Sequence, residues 1–218
     1  MRELRLADAP RPLRLLCLGA HPDDIEIGCA GTIARLVAAE PAFALRWVVF
    51  SGDAARAEEA RSSAAELLAA LDDKHIAVKD FRDGFFPYDG ARLKEEFERL
   101  KGEFDPTLIL THAAEDAHQD HRLVAELTRH TFRDHLILEY EVPKQDGDFG
   151  NPNLFVALSD AQARAKAAML LRHFPSQRAR RWFREETFLA LMRLRGAFCG
   201  AASGFAEGFF CRRALLSL

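Results

Sequence analysis

Two short polar segments carry most of the side chains able to do chemistry. The first is Ala20-His21-Pro22-Asp23-Asp24, followed by Glu26 and the small-residue run Gly28-Cys29-Ala30-Gly31-Thr32. The second is His118-Gln119-Asp120-His121, with Asp116 just before it. Imidazole and carboxylate are ligand types that Zn²⁺ prefers, and a catalytic zinc takes three protein ligands while keeping a position for water. Each segment alone also has an ordinary reading. Asp24 and Asp120 suit helix N-caps, and a loop histidine can satisfy a backbone group. Chemistry therefore requires that the fold bring the two segments together. Five of the eight histidines fall between residues 112 and 135, but His130 and His135, like His75 and His173 elsewhere, have no motif partner and read as structural.

The elements that must position these segments alternate. Short apolar runs at 13–20, 44–50, 75–81, 107–111, 135–140 and 154–159 read as strands, and 28–39, 54–71, 91–103 and 120–133 have helical period. Strand followed by helix, repeated, predicts an α/β fold: a Rossmann-like, doubly wound, mostly parallel sheet with helices on both faces. Ligands of such sheets sit beyond the carboxyl ends of the strands, where strand order reverses. If the fourth strand pairs back beside the first, the loops after Gly19 and Leu110 become neighbours, and His21, Asp24 and His121 come within reach of one ion.

Beyond residue 140 the rhythm changes to a polar loop, EVPKQDGDFGNPN, then helical stretches at 160–173 and 176–195 and the segment GAFCGAASGFAEGFFCRR. The expected organisation is one domain over 1–218, with a core at about 12–140 and a substrate-side loop and C-terminal helical and strand extension at 141–218.

Several function classes are excluded. The first strand–helix turn lacks G-x-G-x-x-G and carries two carboxylates that would repel a pyrophosphate, so a dinucleotide cofactor is not expected there. With 30 Lys+Arg against 33 Asp+Glu and a formal charge of -3, nothing recommends a nucleic-acid partner. The arginines of RARRWFREE at 178–186 alternate with aromatic and acidic residues and read as a solvated helix face. No run approaches the ~20 apolar residues of a membrane helix, and the apolar stretch from Leu13 is broken by Arg14, unlike a signal peptide. Four cysteines without a C-x-x-C pair fit reduced thiols, hence a cytoplasmic protein. The sequence leaves the oligomeric state open.

AHPDDIEIGCAGT at 20–32, DAHQDH at 116–121 and FAEGF at 205–209 resemble, in order and separation, the LmbE-like or PIG-L-type N-acetylglucosaminyl deacetylases. The resemblance implies His21, Asp24 and His121 as ligands of Zn²⁺ or another divalent first-row ion. It also implies Asp23 as general base, and His118, oriented by Asp120, as the group that stabilises or protonates the reacting atoms. The implied reaction is removal of acetyl from an N-acetylglucosamine-type sugar conjugate, with metal-bound water as nucleophile. Arg56 and Asp83 resemble the family's substrate-side Arg and Asp, and Glu207 its C-terminal acidic residue. Lys144, in the polar loop, completes the expected substrate-side set. Alternatives are a metal-dependent amidase on another amide, such as a thiol-conjugate amide, and a non-catalytic sugar-binding module of the same fold.

Overall fold

The computed structural model describes residues 13–40 and 42–215. The expectations for residues 1–12, including the first residue of the core span, and for 216–218 fall outside them. The chain builds one seven-stranded sheet of order β3-β2-β1-β4-β5-β7-β6. Its strands are β1 (Arg14–Gly19), β2 (Ala44–Ser51), β3 (Lys74–Phe81), β4 (Leu108–His112), β5 (Leu136–Tyr140), β6 (Leu154–Leu158) and β7 (Phe205–Phe210). The first five run parallel, β7 pairs antiparallel with β5, and β6 antiparallel with β7. The mostly parallel α/β fold expected from the sequence is therefore present, and residues beyond 140 extend the same sheet.

The central strands are apolar on both faces because both faces are covered. Leu15 and Cys17 of β1, Leu45, Trp47 and Val49 of β2, and Leu108 and Leu110 of β4 enter one core. It is covered by α1 (Asp24–Ala39), α2 (Ala54–Leu67), α5 (Asp160–His173) and α6 (Glu185–Cys199). Alternate residues Leu16, Leu18, Val48, Phe50 and Ile109 enter the second core. There α3 (Gly90–Glu103) and α4 (Gln119–Thr131) contribute Leu93, Phe97, Val124 and Leu127. All four cysteines are free, and no described helix is long and apolar enough to cross a membrane.

Three elements differ from expectation, and the helix expected over 54–71 ends at Leu67. The helix expected over 176–195 begins only at Glu185. Before it, the Arg184 guanidinium gathers the carbonyls of Arg178, Arg180 and Phe183, which keeps that stretch in turns. The helix expected from residue 28 begins at Asp24, so the first motif is itself the head of α1.

Candidate active site

The switch in strand order lies between β1 and β4, and both motifs leave the sheet there. The Ala20 N–H donates to His112 Nε2 at 2.9 Å, while the Ser51 N–H and hydroxyl both donate to the Ala20 carbonyl. The chain is thus held on both sides as it leaves β1. It then enters α1 through Asp23, at φ 95°, the one non-glycine residue with positive φ among the described residues. A left-handed L-residue costs about 1–2 kcal/mol. No capping bond offsets that cost, for the Asp23 side chain makes none. Its Oδ1 lies 3.4 Å from Arg56 Nη2, and its Oδ2 is buried without a hydrogen-bond partner.

Three donor atoms converge beside it. His21 Nδ1 is 3.1 Å from His121 Nε2 and 3.4 Å from Asp24 Oδ2, and His121 Nε2 is 3.4 Å from the same oxygen. Zinc bonds of ~2.0–2.1 Å in tetrahedral array require donors about 3.3–3.4 Å apart. These residues fit a small divalent ion, and their outer contacts fit it too. His21 Nε2 faces Asp83 Oδ1 at 3.1 Å and Asp120 Oδ2 at 3.2 Å, and His121 Nδ1 faces Asp116 Oδ2 at 2.9 Å. Each carboxylate holds the ring proton on the outer nitrogen and frees the inner lone pair.

The electrostatics have the same sense. Burial opposes charge on Asp24, yet the imidazoles of His121 and His112 keep its carboxyl well below the usual carboxylate value. Burial, then the neighbouring His112, pushes His121 down to about 4, so its lone pair is available at neutral pH. Burial works against a charged His21, but hydrogen bonds to Asp120, Asp24 and Asp83 raise it well above the ordinary histidine value. Without a metal, a proton on His21 is the cation that these carboxylates hold. Burial, with Asp24 adding repulsion, raises Asp23 well above the usual carboxylate range. Burial and His21 lower His118, favouring its neutral form.

The remaining expected site residues divide into two groups. Arg56 donates to the Pro22 carbonyl at 2.8 Å and lies 3.5 Å from Asp83, so both border the Asp23 carboxylate and the His21 ring. His118 caps α4, its Nδ1 accepting the Asp120 N–H at 3.2 Å, with its ring edge-on to His21. Asp120 thus holds His118 through its backbone N–H, while its carboxylate accepts the N–H groups of Gly84 at 2.6 Å and Phe86 at 3.1 Å and meets His21.

Lys144 and Glu207 both have partners within the protein. Lys144 Nζ lies 2.9 Å from Asp116 Oδ1 and 2.5 Å from Asp148 Oδ2, tying the polar loop to the second motif. Glu207 is buried behind α1, where four donors occupy its carboxylate.

Two further residues border the cluster, His112 and Asp116, for which the motifs imply no role. Asp116 supports His121, and His112 anchors Ala20 while its Nε2 lies 3.2 Å from Asp24. The signal for His112 was its place at the carboxyl end of a predicted strand; in sequence it reads as the polar end of an apolar run.

A doubly wound sheet with a buried His/Asp cluster at its switch point defines a class: α/β proteins with a candidate hydrolytic metal centre. Residues 16–132 match the family described as PIG-L: GlcNAc-PI de-N-acetylase. The chain belongs to this deacetylase family, as its motifs indicated. It is 29% identical over 177 residues, 77% of this chain and 94% of the relative, to the uncharacterized deacetylase YaiS of Escherichia coli K12. Among solved structures, it resembles the N,N'-diacetylchitobiose deacetylase of Pyrococcus horikoshii, with TM-score 0.70, 22% identity, and coverage of 94% of this chain and 86% of that one. A conserved protein of Thermus thermophilus matches with TM-score 0.69 and 23% identity, covering 94% of this chain and 97% of that one.

Proposed function

We propose that this protein is a zinc-dependent deacetylase that removes acetyl from the 2-acetamido group of an N-acetylglucosamine-type sugar conjugate, releasing acetate and the free amino sugar. The observation that carries the reading is the convergence of His21 Nδ1, Asp24 Oδ2 and His121 Nε2 at 3.1–3.4 Å, next to a buried Asp23 oxygen that no protein group satisfies. Family membership supplies the reaction class, and the three-donor set supports a divalent ion as cofactor.

A divalent ion held by these three side chains would supply Lewis acidity and lower the pKa of bound water. Asp23 is the general base: its unpartnered Oδ2 takes the proton as water oxygen adds to the amide carbon. Arg56, on Oδ1, leaves that second oxygen free. A carboxyl raised by burial is matched to this work, because a base is most effective when its pKa approaches the working pH. With Nδ1 of His118 accepting the Asp120 N–H, its proton resides on Nε2, from which a neutral ring donates to the developing oxyanion. The proton collected by Asp23 then passes to the amine as the carbon–nitrogen bond breaks. Arg56 and the exposed carboxylate of Asp83 present a donor and an acceptor to the sugar hydroxyls.

The test is an acetate-release screen across N-acetylhexosamine conjugates with metal content measured alongside. Release that disappears with chelator and returns with Zn²⁺ is expected. Absence of a stoichiometric divalent ion after reconstitution, or of acetate release from every conjugate, defeats the reading.

A further inference from the structure

Glu207 lies on the far strand pair of the sheet, yet its carboxylate is committed to α1. Its Oε1 accepts the Gly31 N–H at 2.9 Å and the Lys166 ammonium at 2.6 Å; its Oε2 accepts the Thr32 N–H and the Thr32 hydroxyl, both at 2.6 Å. Glu207 and Lys166 are only 3% and 6% exposed, so this pair is sealed from solvent.

Its position coincides with a break in α1. Cys29 leaves helical geometry at φ -149°, ψ 16°, and its thiol turns back to donate to the Ile25 carbonyl. The break follows from packing. A Cβ on Gly28 would meet the Tyr140 ring at 2.1 Å, and one on Gly31 would meet Leu158 at 2.6 Å and the Glu207 carboxylate at 3.0 Å. Two glycines admit this close approach but weaken the helix between them. The Gly31 and Thr32 amides, which a continuous helix would aim at the carbonyls of Ile27 and Gly28, instead find an acceptor in β7. Glu207 thus acts as an N-cap supplied from the opposite end of the chain, restarting the helix after the break.

We infer that Glu207, neutralised by Lys166, is a positioning residue: by holding α1 in its broken form it sets the direction of the first turn and so the placement of His21, Asp23 and Asp24 at the metal centre. The inference rests on the metal-dependent reading above and deepens it. The mechanical path is short. The segment Asp24–Gly28 is held at one end by the β1 loop and at the other by the break. Loss of the carboxylate leaves two buried amides without an acceptor, and the helix regains its own carbonyls by straightening. Straightening swings Asp24 away from His121 and His21, and separates the three donors.

The experiment measures Zn²⁺ dissociation constants by chelator competition, and the Co²⁺ absorption spectrum, on full-length wild type, Glu207→Gln, Thr32→Val and Leu100→Ala. Removal of groups that support metal ligands typically weakens metal affinity about 10–100-fold. Glu207→Gln is expected to fall in that range with a changed Co²⁺ spectrum, and Thr32→Val, which loses one of the four bonds, to shift several-fold in the same direction. Leu100→Ala opens a cavity in the second core, away from α1, and is expected to lower melting temperature while keeping wild-type metal affinity. A folded Glu207→Gln protein with wild-type affinity and spectrum overturns the inference. If Glu207→Gln does not fold, unchanged affinity in Thr32→Val overturns it instead. Wild type that binds metal but releases no acetate defeats the proposed reaction and leaves the positioning role intact, so the two failures are separable.

Discussion

Asp116 Oδ2 stands 2.9 Å from His121 Nδ1, and its second oxygen stands 2.9 Å from the Lys144 ammonium. One carboxylate therefore joins the polar loop to the ring that closes the three-donor cluster. It fixes the His121 proton on Nδ1, which leaves Nε2 facing His21 and Asp24. Asp116→Asn keeps the shape but presents a weaker acceptor and leaves Lys144 with Asp148 as its remaining carboxylate partner. The expected outcome is a ~10–100-fold loss of metal affinity, read by chelator competition. Affinity within a factor of two of wild type would remove this role.

Asp23→Asn separates base from ligand. The three converging donors remain, so stoichiometric Zn²⁺ binding is expected to persist. The amide cannot accept the water proton, and kcat is expected to fall by about 10²–10⁴. Measured together, metal content and turnover decide this: full activity in the metal-loaded variant excludes Asp23 as base.

Buried Arg195 donates to both oxygens of Glu141, at 2.8 and 2.6 Å, and to the Gly150 carbonyl at 3.1 Å. Burial raises the Glu141 carboxyl, and the guanidinium is the partner that draws it back toward ionisation. Arg195→Met leaves that carboxylate buried without its cation, and a loss of about 3–5 kcal/mol is expected in urea denaturation at pH 7. Arg195→Met/Glu141→Leu, which removes both charges, should recover much of the loss.

Stability should also carry a small acid-side dependence from Glu96. Hydrogen bonds from Arg99 and then Lys79 hold its carboxyl at about 2, against an ordinary 4.5. A depressed folded-state value means that the contribution is fully present above the unfolded value, and is lost as pH falls from about 4.5 toward about 2. The group lies near the surface, so the effect is expected to be about 1 kcal/mol or less. Glu96→Gln should lower stability at pH 7 and leave it unchanged near pH 2; an equal difference at both pH values contradicts the assignment.

His118→Phe tests the oxyanion role. The ring volume remains but Nε2–H is lost together with the Nδ1 acceptor that caps α4, and a drop of about 10²–10³ in kcat is expected with KM little altered. A change confined to KM would place His118 in ground-state binding instead.

The sequence by itself determined the architecture and the family. Runs such as 13–20 and 44–50 are apolar at consecutive positions because both faces of a central parallel strand are buried, and this pattern is local enough to read residue by residue. His21, Asp24 and His121 stood out as candidate ligands because their segments follow strand ends, where an α/β sheet collects its ligands; the roles expected of Asp23 and His118 came from the resemblance of the motifs. The tertiary structure alone decided what distant segments do to these residues. The Asp120 carboxylate turns to His21 because the Gly84 and Phe86 amides hold it, while its backbone N–H holds His118. Lys144 is spent on Asp116 and Asp148, and Glu207 on a helix break 176 residues away along the chain. A buried charge must find a partner, since desolvation without one is costly. Which partner it finds depends on which segments pack together, and that information belongs to the folded chain as a whole.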